Sequence, residues 1–258
     1  MLSDDTVAPG EGFGTHPHAN MEIVSIPLSG ALRHRDSMGY VQELRPGGIQ
    51  VMSAGTGITH SEFNASDTEP VKFLQIWVLP DARGHRPRYD QLTLAPAVRN
   101  ELRPIVAPEG FGNEHVGWIH QRAWFHTLDL DAGRGADYRL RLFGDGVYLF
   151  VLEGCVETAE ETLSRRDGLG ICGAGELRID AAADASVLLI EVPMCFVPAG
   201  SGRFVRVLPH AVSRWGGCIR SGRRFSVVPG RRTHRTAFVP GPAFMSDEWA
   251  FRRIRTPR

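Results

Sequence analysis

Strand-length apolar runs broken by turn residues constrain this chain more than any other feature. Met21–Leu28, Ile49–Ser53, Val71–Leu79, Tyr138–Phe143, Gly146–Leu152 and Ser186–Val192 are rich in Val, Ile, Leu and aromatic residues. Between them stand Pro46-Gly-Gly48, Asp131-Ala-Gly133, Gly144-Asp-Gly146 and Gly173-Ala-Gly175, residues that tolerate the dihedrals of tight turns. Helical periodicity is scarce; Tyr89–Leu94 is the best short helical candidate. Many short strands with glycine-rich turns predict an all-β sandwich or barrel. The run IPLSGAL (26–32) is echoed by LFVLEGCV (149–156), a strand, a glycine turn and a second strand. Two β-units joined by the proline-rich stretch around 80–108 fit that repeat.

Composition narrows the class further. At 258 residues and 42% hydrophobic, the chain has ample material for a core and is not disordered as a whole. No stretch approaches the roughly 20 apolar residues of a membrane span, and no signal peptide is visible, so the expected location is the cytoplasm. Cys155, Cys172, Cys195 and Cys218 form no CxxC pair and read as reduced thiols. The net charge is zero, yet residues 195–258 hold 13 arginines against only Asp247 and Glu248. Such a segment cannot easily form a core, and an irregular, solvated tail is expected there. Arg223-Arg224 and Arg231-Arg232 fit that solvated reading better than a nucleic-acid arm.

Chemistry concentrates in two short motifs. His16 and His18 lie two apart, and so do His60 and Glu62. On extended backbone each pair presents both side chains to one face. A lone HxH is common without metal; a second HxE in a β-rich chain makes a shared cation site the better reading. Three imidazoles and one carboxylate suit a first-row divalent metal, with positions left open for water or substrate. Glu22 is expected beside that site as a supporting partner, Asn64 as structural, and His34 as a solvated or turn residue. Phe13, Met52 and Phe63 are the expected apolar lining of a substrate pocket. No GK[ST] or GxGxxG phosphate loop is present.

The strings FGTHPHANMEIVSIPLSGALRHRDSMG, PGGIQVMSAGTGITHSEFN and LQIWVLP, then IHQRAWFHTLDLDAGR, strongly resemble the pirin family of the cupin superfamily. The resemblance runs to about Met194. It implies a bicupin, two antiparallel β-barrel (jelly-roll) domains. The expected division is 1–108 for an N-terminal cupin with the metal, 109–194 for a C-terminal cupin without ligands, and 195–258 for a non-family tail. Relative to the family the first barrel looks N-terminally shortened. The family's ligand positions fall on His16, His18, His60 and Glu62; His120 and His126 are not paired in that pattern.

The resemblance further implies a quercetin 2,3-dioxygenase that opens flavonols with O2 and releases CO. The expected cofactor is Fe2+ or another of Mn, Ni, Cu and Zn, with Glu62 as general base. Other readings stay open: an iron-dependent redox-sensing regulator that binds a transcription factor or metabolic enzyme, or a truncated, non-functional gene product. A monomer acting on a flavonol-like small molecule, with neither membrane nor nucleic acid as partner, is expected.

Overall fold

The structure, a computed structural model, describes residues 1–194 apart from Phe143 and Glu160, and the backbone of 203–207. Nine strands build the N-terminal half. They are β1 (Leu2–Val7), β2 (Gly12–His18), β3 (Glu22–Ser29), β4 (Leu32–Asp36), β5 (Val41–Leu44), β6 (Gly48–Ser53), β7 (Ile58–Asn64), β8 (Val71–Val78) and β9 (Arg88–Thr93). A five-stranded sheet of order β1-β8-β3-β6-β9 stands against a four-stranded sheet of order β2-β7-β4-β5. The two sheets meet through Val7, Leu32, Val71 and Phe73 in one cluster and through Ile23, Met52, Ala54 and Ile58 in another.

The C-terminal half repeats the plan. Its strands are β10 (Arg103–Pro108), β11 (Gly117–Ile119), β12 (Trp124–Leu130), β13 (Gly135–Arg139), β14 (Asp145–Glu153), β15 (Cys155–Glu157), β16 (Thr162–Ser164), β17 (Gly168–Cys172), β18 (Glu176–Ala181), β19 (Ala185–Pro193) and β20 (Arg203–Val207). A seven-stranded sheet, β11-β10-β12-β19-β14-β17-β20, faces a four-stranded one, β13-β18-β15-β16. Leu128, Leu149, Val151, Leu177, Ile179 and Leu189 belong to the single apolar cluster between them. A fourth cluster joins the two halves: Val24, Ile26, Val51 and Leu74 pack with Ile105, Phe125, Phe150 and Leu188. Burying each such side chain contributes about 1.5–3 kcal/mol, which explains why the outer faces of both large sheets are apolar. The chain is thus an all-β bicupin, and among the described residues no helix is long and apolar enough to cross a membrane.

The internal repeat is exact in its turns. Gly30 and Gly154 both sit at positive φ, 75° and 81°, where an added Cβ would press on the backbone of Pro70–Val71 and Asp184–Ala185. Most of the expected strands are found within a residue of their limits. Two expectations are corrected. Tyr89–Leu94 is not helical: Arg88–Thr93 pairs antiparallel with β6. Six residues after Pro87 are too few to stabilise a helix, whereas the edge of β6 offers a ready ladder. The strand expected at Tyr138–Phe143 lies upstream, at Gly135–Arg139, because its partner β18 begins at Glu176. The tail expected from residue 195 lies largely outside the described residues. Its one described stretch, Arg203–Val207, is a strand that pairs antiparallel with Gly168–Cys172.

Candidate metal centre

The centre lies on the four-stranded sheet of the N-terminal half. Along β7 burial alternates, so Ile58, His60, Glu62 and Asn64 face inward while Thr59 and Phe63 face out. The edge strand β2 lies beside it, with His16 opposite His60 and His18 opposite Ile58. Pro17 has no N–H to donate, which an edge strand tolerates. A register shift between Phe13 and His16 re-aims the strand just before the histidines.

These placements bring three imidazoles together. Ring centroids lie 4.8 Å apart for His16–His18, 4.5 Å for His16–His60 and 4.9 Å for His18–His60. One ligand atom of each lies within 4.8 Å of the others. Glu62 enters through a second, overlapping set, His34, His60 and Glu62, with the same mutual spacing. His60 belongs to both sets. Gln75 Nε2 donates to Glu62 Oε2 at 2.7 Å, and Trp77 Nε1 donates to Gln75 Oε1 at 3.0 Å. His16 Nδ1 lies 2.7 Å from the Gly14 carbonyl oxygen, which directs its Nε2 elsewhere.

The electrostatics favour a cation. Burial, reinforced by the neighbouring imidazoles, lowers His60 to about 3, and burial with His16 lowers His18 to about 4. Both rings are neutral near pH 7 and present lone pairs. Burial pushes Glu62 upward, opposed by the Gln75 hydrogen bond and by His16. His18 Nε2, both nitrogens of His60 and Glu62 Oε1 are buried without a hydrogen-bond partner. Unpartnered buried polar atoms cost about 1–3 kcal/mol each, so a clustered group of them implies a missing partner. Three nitrogens and a carboxylate oxygen fit a divalent first-row cation.

Other residues stand apart from their expected places. His34 is not solvated: it is fully buried on β4, opposite Glu62 in register. The alternation Leu32-Arg33-His34-Arg35-Asp36 carried that signal, since charged residues at every second position leave the rest facing inward. Gln75 and Trp77 were hidden inside an apolar run. Glu22 shares parity with Val24 and Ile26 and faces the seam between the halves, accepting from Ser53 Oγ (2.7 Å) and His120 N (3.3 Å). Asn64 is structural, donating to the carbonyls of Val7, Ala8 and Glu69. A cleft of about 520 Å3 opens beside His18, lined by Pro17, Ala19, Ser37, Gly57, Ile58 and Thr59. Phe13, Met52 and Phe63 do not line it: Phe13 packs on the Val7–Phe73 cluster, Met52 on Ile58, and Phe63 is exposed. In the C-terminal half, His120 stacks on His85 at 3.9 Å and His126 is buried near Tyr138. Neither joins a metal-competent group among the described residues.

Comparison with known proteins assigns the family. Residues 1–78 match the Pirin family, and residues 105–192 match the Quercetinase C-terminal cupin domain. A Pseudomonas aeruginosa protein is 37% identical over 192 residues, 74% of this chain and 82% of its own length. The quercetin 2,3-dioxygenase of Escherichia coli K12 is 34% identical over 75% of this chain and 81% of its own. The crystal structure of the bacterial pirin YhhW from Escherichia coli, in complex with nickel(II), superposes with a TM-score of 0.69 at 34% identity, covering 74% of this chain and 81% of that one. By its sequence, its two-sheet halves and its relatives, this chain belongs to the pirin family.

Proposed function

We propose that this chain is a metal-dependent dioxygenase that cleaves flavonols such as quercetin with O2 and releases CO. The metal, iron(II) or another of manganese, nickel, copper and zinc, is held by His16, His18, His60 and Glu62. The observation that carries this reading is the inward-facing group of three imidazoles and a carboxylate in which His18 Nε2, both His60 nitrogens and Glu62 Oε1 are buried without a protein partner. A quercetin 2,3-dioxygenase among its relatives, and a nickel(II) complex of another, support it. A divalent cation held there supplies Lewis acidity that lowers the pKa of the flavonol 3-hydroxyl.

The chain's own residues supply the rest. Glu62 is the general base, and burial raises its affinity for the proton it takes. Gln75 holds Glu62 Oε2, which leaves Oε1 for the site. Trp77 packs edge-on against His18 at 4.9 Å and limits its ring to one orientation. The open cleft beside His18, with Pro17, Ala19 and Ile58 on its wall, has room for a flat aromatic ligand. In this reading residues 1–108 carry the reaction and 109–194 form a cupin without ligands. The protein acts as a cytoplasmic monomer.

Oxygen uptake with quercetin tests the reading. Metal-loaded wild type is expected to consume O2 and form CO, and His60→Ala to lose bound metal and turnover together. Turnover retained in metal-free His60→Ala protein overturns it.

A further inference from the structure

Coordination through one nitrogen of His60 leaves its other ring nitrogen to be accounted for. An imidazole that binds a cation through one nitrogen carries a proton on the other, and that N–H needs an acceptor. His34 Nδ1 is buried, without a hydrogen-bond partner, and its strand β4 lies on the other side of β7 from β2. Strand β7 runs between β2 and β4, so His60 has His16 at 4.5 Å on one flank and His34 at 5.4 Å on the other.

His34 is held as an acceptor. Asp36 Oδ1 accepts the backbone N–H groups of Met38 (2.9 Å) and Tyr40 (3.1 Å), which anchors the carboxylate. Its Oδ2 lies 3.0 Å from His34 Nε2. A carboxylate only accepts, so the proton of neutral His34 sits on Nε2 and the lone pair on Nδ1. The ring cannot turn away: it stacks on Tyr89 at 4.5 Å, and Tyr89 stacks on Tyr40 at 4.9 Å. Glu62 as an ionised ligand has no proton to give Nδ1, whereas a metal-bound His60 has an N–H to place.

We propose that the Asp36–His34 pair is a positioning device for the metal centre. With a cation bound, His34 Nδ1 would accept the N–H of His60, a bond the metal-free structure does not make, and so fix that ring's tautomer and turn its lone pair toward His16 and His18. This inference rests on the metal-centre reading above. The test is calorimetric titration of the full chain with zinc(II), together with long-range 1H–15N NMR of the histidine rings. His34→Phe keeps a ring on Tyr89 but has no acceptor, and is expected to lose about 10–100-fold in zinc affinity. Asp36→Asn, which presents an amide N–H to Nε2 and reverses the His34 tautomer, is expected to lose a similar factor. His34→Asn places a carbonyl oxygen near the Nδ1 position and should recover part of the loss. In the wild type the NMR should show His34 protonated on Nε2. Wild-type zinc affinity in folded His34→Phe, or a wild-type His34 protonated on Nδ1, overturns the proposal. Failure of the wild type to bind zinc overturns the metal-centre reading instead. The tautomer needs no variant, so a His34→Phe protein that fails to fold leaves the test decisive.

Discussion

The two halves of this molecule share a plan and differ in what they enclose. Counting from the equivalent turn glycines Gly30 and Gly154, Leu32 pairs with Asn64 in one half and Val156 with Ala181 in the other. On that register the places of His60 and Glu62 are taken by Leu177 and Ile179, and the place of His16, opposite His60, by Tyr138, opposite Leu177. On the large sheets, Ser25 pairs with Gln75, whereas Leu149 pairs with Leu189. One interior is split into two small apolar clusters around a polar centre; the other is a continuous apolar core. The fold therefore does not require the polar centre. A half that keeps unpartnered nitrogens where its twin keeps leucine has given up packing energy for a ligand.

The largest expected effect lies in the apolar half. Leu189→Ala should lower stability by about 2–5 kcal/mol in denaturant unfolding and leave metal affinity unchanged. A loss of metal affinity in a folded Leu189→Ala protein breaks the division of labour between the halves.

Second in size is His60→Leu, which copies Leu177 into the metal half. Zinc affinity should fall by more than about 100-fold. The metal-free protein should unfold at no lower temperature than wild type, because two unpartnered buried nitrogens are removed. A large fall in the metal-free midpoint shows that His60 is a packing residue.

Gln75→Leu sharpens the same comparison by copying Leu189. With Glu62 Oε2 released from its 2.7 Å donor, zinc affinity should drop by about 10-fold. An unchanged affinity removes Gln75 from the account.

The smallest effect is a shared one. Burial lowers His18 to about 4 and His60 to about 3, and lowers His126 in the apolar half to about 4. In the metal-free protein their NMR signals should stay at the neutral position from pH 8 to pH 5. The sign follows: with pKa values below the unfolded value of about 6.5, the folded protein binds fewer protons, so these residues reduce stability as pH falls from about 6.5 toward 4. Midpoints near 6.5 contradict that burial. Since His126 is neutral without belonging to a metal group, neutrality is necessary for the centre and not sufficient.

Legibility in the sequence followed the physics of alternation. HxH and HxE at a spacing of two were readable because extended backbone sends alternate side chains to one face, and β7 does so. The repeat around Gly30 and Gly154 was readable because positive φ demands glycine. Partners fixed by strand pairing were not. Gln75 and Trp77 sit in a mostly apolar run, and their link to Glu62 exists only once β8 crosses above β7. His34 was missed because its flanking arginines suggest solvent, although they face out and it faces in. The Tyr89 segment is too short for its own periodicity to decide, and the edge of β6 decides instead.

X-ray absorption of the nickel(II)-loaded chain tests the central claim most directly. The account predicts one cation per chain, with three imidazole nitrogens and one carboxylate oxygen among its donors, and a loss of imidazole scattering in His16→Ala, His18→Ala and His60→Ala. Nickel bound with no imidazole in its shell, or no nickel retained at all, contradicts it.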